Sequence, residues 1–161
     1  MVNTMNYGER KKELDELDRL IGNPLNAMKV FAPFKRLRAY FVLSIYDNIV
    51  HKVKMSLGRK MLDAIFECDQ LLTRCQFGTR RSKLAATVEF LHHFAFLLSA
   101  VEFLVMNDNL GVSVRQATEM VMLIKEIQDQ MGGFEKYLRR EPDNNEYRQS
   151  LQPTGQEGEQ V

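Results

Sequence analysis

Glu89 and His92 form an E-x-x-H pair, a spacing that on a helix sets a carboxylate and an imidazole on one side of a metal ion, as in di-iron four-helix proteins. Such a centre needs a second E-x-x-H and two further glutamates on other helices, and the chain has no second pair. His51 has Asp47 four residues before it, which supplies at best part of a site, so the histidines read as surface or hydrogen-bonded residues. Cys68 and Cys75 lie seven apart in an apolar pattern and read as reduced core residues, neither a disulfide nor a metal pair. No G-x-x-x-x-G-K-[ST] phosphate loop, G-x-S-x-G elbow or H-E-x-x-H motif occurs. The expectation is a non-catalytic protein without metal or cofactor.

The remaining chemistry is electrostatic. The net charge of +1 conceals a division along the chain. Residues 29–83 hold twelve lysines and arginines against four acidic residues, whereas residues 84–161 hold six against twelve. A basic half on a near-neutral chain attracts phosphate backbone, although interspersed cations also serve solubility. The candidate nucleic-acid contacts are Lys35, Arg36, Arg38, Lys52, Lys54, Arg59, Lys60, Arg74, Arg80, Arg81 and Lys83. Arg36 and Lys54 are eighteen residues apart, which on one unbroken helix places them on the same side about 27 Å from each other. Arg80 and Arg81 fall at a helix start, where a cation opposes the helix dipole, and phosphate binding would account for them there.

Helices must position these residues. Phe34, Leu37, Phe41, Ile45 and Ile49 share one face of a first long helix predicted over Phe34 to about Lys54. Met61, Ile65, Cys68, Leu72 and Cys75 recur at intervals of four and three on a second, which Gly78 ends. Thr79 offers an N-cap for a third helix, running to about Asn107. Its segment Leu84 to Met106 approaches membrane-spanning length, but Glu89, His92, His93 and Glu102 interrupt it, and an acidic group near a bilayer centre costs about 3 kcal/mol. It therefore reads as a central helix that is apolar on more than one face. Ser113 and Gln116 form a capping box for a fourth, with Val114, Ala117, Val121, Ile124, Met131, Phe134 and Leu138 as its stripe.

These four predict an all-α fold, an antiparallel four-helix bundle over residues 34–140. Residues 1–33 form an N-terminal extension with a short charged helix at 9–22, whose apolar contacts are Leu14, Leu17 and Leu20 or Ile21, before Asn23 and Pro24. Residues 141–161 are almost without apolar side chains and are predicted to be a disordered polar tail. The N-terminus lacks the apolar run of an export signal, and the expected location is cytoplasmic with no membrane partner.

Between Phe34 and Leu138 the chain resembles the accessory variability determinant proteins of diversity-generating retroelements, within a wider bacterial four-helix group that includes ribosomal intervening-sequence proteins. The resemblance rests on FKRLRAYFVLSIYDNIVHKVKMSLGRKMLDAIFECDQLL, where Ser56-Leu57-Gly58-Arg59 opens the second helix, and on EIQDQMGGFEKYL. It implies a four-helix bundle assembled as a pentameric barrel with a basic surface. It also implies an adaptor role beside a reverse transcriptase and its template RNA, with the cDNA as a further contact, in adenine-mutagenised cDNA synthesis. In that setting Gly132 and Gly133 remove side chains where a neighbouring helix or subunit comes close, with Phe134 as the anchor. The other reading of these glycines is a helix that ends at Met131 and restarts. The alternative function is a structural or protein-interaction four-helix bundle with no retroelement role.

Overall fold

The computed structural model describes residues 6–21 and 28–140, so the predicted polar tail and the Asn23-Pro24 interruption lie outside the described residues. The described chain is all-helical: α1 (Tyr7–Ile21), α2 (Phe31–Tyr40), α3 (His51–Val53), α4 (Arg59–Gln76), α5 (Arg80–Met106) and α6 (Val114–Arg139). A π-helical segment (Phe41–Ile45) and a 3₁₀ turn (Tyr46–Asn48) prolong α2, and a second π-helical segment (Lys54–Gly58) joins α3 to α4 without a break. α1 buries none of its residues, and Leu14, Leu17, Leu20 and Ile21 all remain exposed.

Neighbouring helices run antiparallel. Cys75 Sγ lies 3.4 Å from Thr87 Oγ1 between α4 and α5, and one end of each therefore meets across the short turn at residues 77–79. Arg36 pairs with Glu126 between α2 and α6 at 3.6 Å, and Arg38 with Asp69 between α2 and α4 at 2.7 Å. Within this frame Phe34, Phe90 and Phe94 form an aromatic centre, the last two stacked at 4.5 Å between centroids. The predicted apolar faces of the first and second helices are buried throughout. α6 buries Ala117, Ile124, Met131 and Leu138, but Val114 at its first turn faces solvent, a correction to the predicted stripe.

The caps form as their sequences predict. Ser113 Oγ accepts from Gln116 N–H at 3.1 Å while Gln116 Oε1 accepts from Ser113 N–H at 3.1 Å, and Thr79 Oγ1 accepts from Ser82 N–H at 3.2 Å. α5 is long and apolar enough to cross a membrane by length and composition. It packs between α4 and α6 with Phe90, Phe94, Leu97, Val101 and Leu104 buried, and about a third of its most apolar stretch is buried in this chain.

The first long helix departs from expectation. It does not continue to Lys54, because Ile49 and Val50 are extended (ψ 132° and 141°) and helix resumes only at His51. The break is satisfied from elsewhere in the chain. Val50 N–H donates to Leu110 O at 3.1 Å, while the Ser44 carbonyl accepts from Asn48 Nδ2 at 2.8 Å and from Gln116 Nε2 at 3.0 Å. Ser56-Leu57-Gly58 therefore lies within a continuing helix rather than opening one. Gly58 is buried at this crossing, where a Cβ would meet Ile49 Cδ1 at 3.3 Å and the Tyr46 ring at 3.5 Å.

Cys68 and Cys75 are both free and buried. Burial, then the nearby Glu67 charge, pushes the Cys68 thiol far up. Burial also raises Cys75, against the opposing influences of the Thr87 hydrogen bond and Lys83. A folded pKa above the unfolded one means that the native state holds the proton more tightly. The stabilisation is whole below the ordinary thiol pKa of about 8.5 and is lost as pH rises from there towards the folded value. Urea unfolding is expected to show stability falling by up to about 1.4 kcal/mol per pH unit per thiol above that value. Cys68→Ala should flatten this slope, and an unchanged slope in the variant would refute the assignment.

Candidate nucleic-acid interface

The chain fold brings together basic residues that are far apart in sequence. The start of α5 meets the end of α6, where Arg80 Nε donates to Leu138 O at 3.0 Å and its terminal nitrogen donates to Tyr137 O at 2.8 Å and Arg140 O at 3.3 Å. Arg74 in the last turn of α4 belongs to the same end, because only residues 77–79 separate α4 from α5. Lys136, Arg139 and Arg140 thus join Arg74, Arg81 and Lys83 at one pole of the molecule. The charge count along the chain concealed this, since residues 84–161 are acidic in balance. Only the antiparallel α5–α6 pairing places the basic end of α6 there.

Arg80 itself is engaged structurally. Its guanidinium satisfies the last carbonyls of α6, where a cation is favoured by the helix dipole, and it lies 5.2 Å from the Tyr137 ring centroid. This accounts for an arginine at the unfavourable start of α5 without any phosphate. Within the pole, Arg139 pairs with Glu135 at 2.9 Å. Arg74, Arg81 and Lys83 form no ion pair among the described residues.

Of the other predicted cations, Lys35 and Arg38 line a groove with Gln70 and Thr73 beside Arg74, while the rest lie elsewhere. Lys52, Arg59 and Lys60 sit near the opposite end of the α3–α4 helix and are exposed, with no ion pair among the described residues. Lys54 is drawn to Asp47 at 3.2 Å and to the Tyr46 ring at 4.7 Å. This also directs Asp47 to a lysine rather than to His51. Lys35 stands 4.6 Å over the Phe31 ring, and Arg38 is a part-buried tie between α2 and α4 through Asp69. Because of the break at Ile49 and Val50, Arg36 and Lys54 do not share one continuous helix, so their predicted five-turn spacing is corrected.

Gly132 and Gly133 lie inside the unbroken α6, so a helix that stops at Met131 and restarts is ruled out. Among the described residues a Cβ at either would meet nothing within 4 Å, which removes close approach by another described helix as their explanation. Phe134 is partly buried against the core and stacks on Tyr137 at 6.3 Å. A groove of about 790 Å³ runs between α2 and α6, lined by residues that no sequence motif connects. In it Tyr40 faces Glu119, and desolvation followed by that carboxylate raises the tyrosine pKa.

Glu89 is matched with His93, one helical turn on, rather than with His92, and α4 adds Glu67 across the helix interface. Periodicity along a single helix could not identify that third residue. Comparison with models of known protein families, with curated proteins and with solved structures finds no match to this chain.

Proposed function

We propose that the chain is a non-catalytic nucleic-acid-binding accessory protein, an antiparallel four-helix bundle with an extra N-terminal helix that assembles as a homopentamer. Its partners are a retroelement reverse transcriptase and that enzyme's template RNA, with cDNA as a further contact, in mutagenic cDNA synthesis. The partner identities and the pentamer come from the resemblance in the SLGRK and IQDQMGGFEKYL stretches. The observation that carries nucleic-acid binding is the basic pole made by Arg74, Arg81, Lys83, Lys136 and Arg140. Repetition of such a pole around an oligomer multiplies weak phosphate contacts into avidity. The open positions of Gly132 and Gly133 suit contact with a neighbouring subunit.

A protein-interaction role without a retroelement is the second reading. It is favoured by the exposed Phe66, Phe103 and Met106, large apolar side chains that a partner surface would cover.

The test leaves Arg80 in place and changes Arg74, Arg81 and Lys83 together to glutamate. A mixed-sequence single-stranded RNA is titrated across a salt series, with the mass of the assembly followed by light scattering. Affinity is expected to fall at least about tenfold and the salt slope to become shallower by roughly 2, because each phosphate contact to a single strand contributes about 0.7 to that slope. Unchanged affinity and slope in a variant that still assembles would exclude this pole from binding RNA and favour the protein-interaction reading.

A further inference from the structure

Glu67, Glu89 and His93 present one donor atom each, and these three atoms lie within 4.8 Å of one another across the α4–α5 interface. His93 Nε2 is 3.7 Å from a Glu67 carboxylate oxygen. Glu89 and His93 are separated by one turn on α5, the spacing that points both side chains to the same place, and Glu67 reaches them from the facing helix. The imidazole is mostly buried and so held in place, while both glutamates are exposed and free to rotate. Apart from the His93 contact of Glu67, neither carboxylate has another ion-pair partner among the described residues.

We propose that Glu67, Glu89 and His93 form a binding site for a divalent transition-metal cation of zinc's class. One imidazole nitrogen with two carboxylates is a donor set that suits borderline ions such as Zn²⁺. Calcium and magnesium, which take oxygen ligands, are disfavoured by the imidazole. Ligand bonds of about 2.0–2.2 Å require donor atoms closer together than in the metal-free arrangement, and rotation of the two exposed carboxylates supplies the movement. The ion would cross-link α4 to α5 and keep its remaining positions open to water or to a ligand atom from a partner. Cys68, adjacent to Glu67, is fully buried and turned away from the exposed carboxylates, so it does not compete for the metal. The site is independent of the basic pole, so its success or failure leaves the nucleic-acid reading unchanged.

The experiment titrates the full chain with Zn²⁺ by calorimetry and records thermal unfolding with and without the ion. One saturable site per chain is expected, with the melting temperature raised by about 5–10 °C when the ion is in large excess over its dissociation constant. His93→Ala, and separately Glu67→Gln with Glu89→Gln, should each weaken binding about tenfold or more, while His92→Ala and His51→Ala leave it unchanged. Co²⁺ gives a second readout, because its visible absorption bands should appear in the wild type and vanish in His93→Ala. No saturable micromolar binding by the wild type would overturn the site. So would a His93→Ala variant that binds as well as wild type, or a double glutamine variant of undiminished affinity, which would leave the ion on an imidazole alone.

Discussion

Gly111→Ala is expected to destabilise the protein by about 3–5 kcal/mol, lowering the melting temperature by roughly 10–15 °C. Two independent costs coincide at this residue. Its φ of +92° lies in the left-handed region that side chains disfavour, and a Cβ there would lie 2.8 Å from the Asn48 carbonyl carbon and closer still to its oxygen. The obstacle is backbone, which cannot rotate away. That backbone is also the break at Ile49 and Val50, whose amide donates to the neighbouring Leu110, so pushing the two segments apart strains both at once. Gly132→Ala and Gly133→Ala provide the contrast: each replaces glycine inside α6 with open space around it and should stabilise the isolated chain by about 1 kcal/mol. Chemical denaturation of the three variants checks the ranking. A Gly111→Ala protein as stable as wild type would show that the loop at 107–112 does not hold the break in place.

Arg80→Glu should cost about 2–3 kcal/mol, whereas Arg81→Glu should stay within about 0.5 kcal/mol of wild type. The difference arises from the partners of the first residue, not from its charge alone. Arg80 spreads its donors over three carbonyls at the end of α6, and hydrogen bonds from a charged donor exceed neutral ones in strength. A glutamate in its place would leave those acceptors without the guanidinium and add a negative charge at the negative end of the helix dipole. Arg80→Lys should recover only part of the loss, because a single ammonium does not reproduce the planar fork. Thermal unfolding gives the stability, and hydrogen exchange across Phe134 to Arg139 should quicken in Arg80→Glu alone. Wild-type stability combined with weakened RNA binding would return Arg80 to the nucleic-acid surface and reject its capping role.

Sequence alone determined the features whose causes are local. The intervals of four and three from Met61 to Cys75 dictate a buried helical face, because 3.6 residues per turn stack those positions wherever the helix ends up. Ser113 with Gln116, and Thr79 before Arg80, are caps made between residues three apart, and both form. Tertiary structure alone decided what depends on remote partners. Nothing at Ile49 or Val50 marks a break in the sequence; it persists because a Leu110 carbonyl and the Gln116 amide, both distant along the chain, satisfy the backbone groups that it frees. The same limit concealed the roles of Arg80 and of Glu67, since one acts on carbonyls at the far end of α6 and the other meets His93 across two helices. Gly132 and Gly133 lower the helix propensity of α6 without a near neighbour among the described residues, yet Gly58 and Gly111 are where backbone or side chains come close. A glycine's helix penalty belongs to its own turn, whereas the room that it leaves acquires meaning only when another segment fills it.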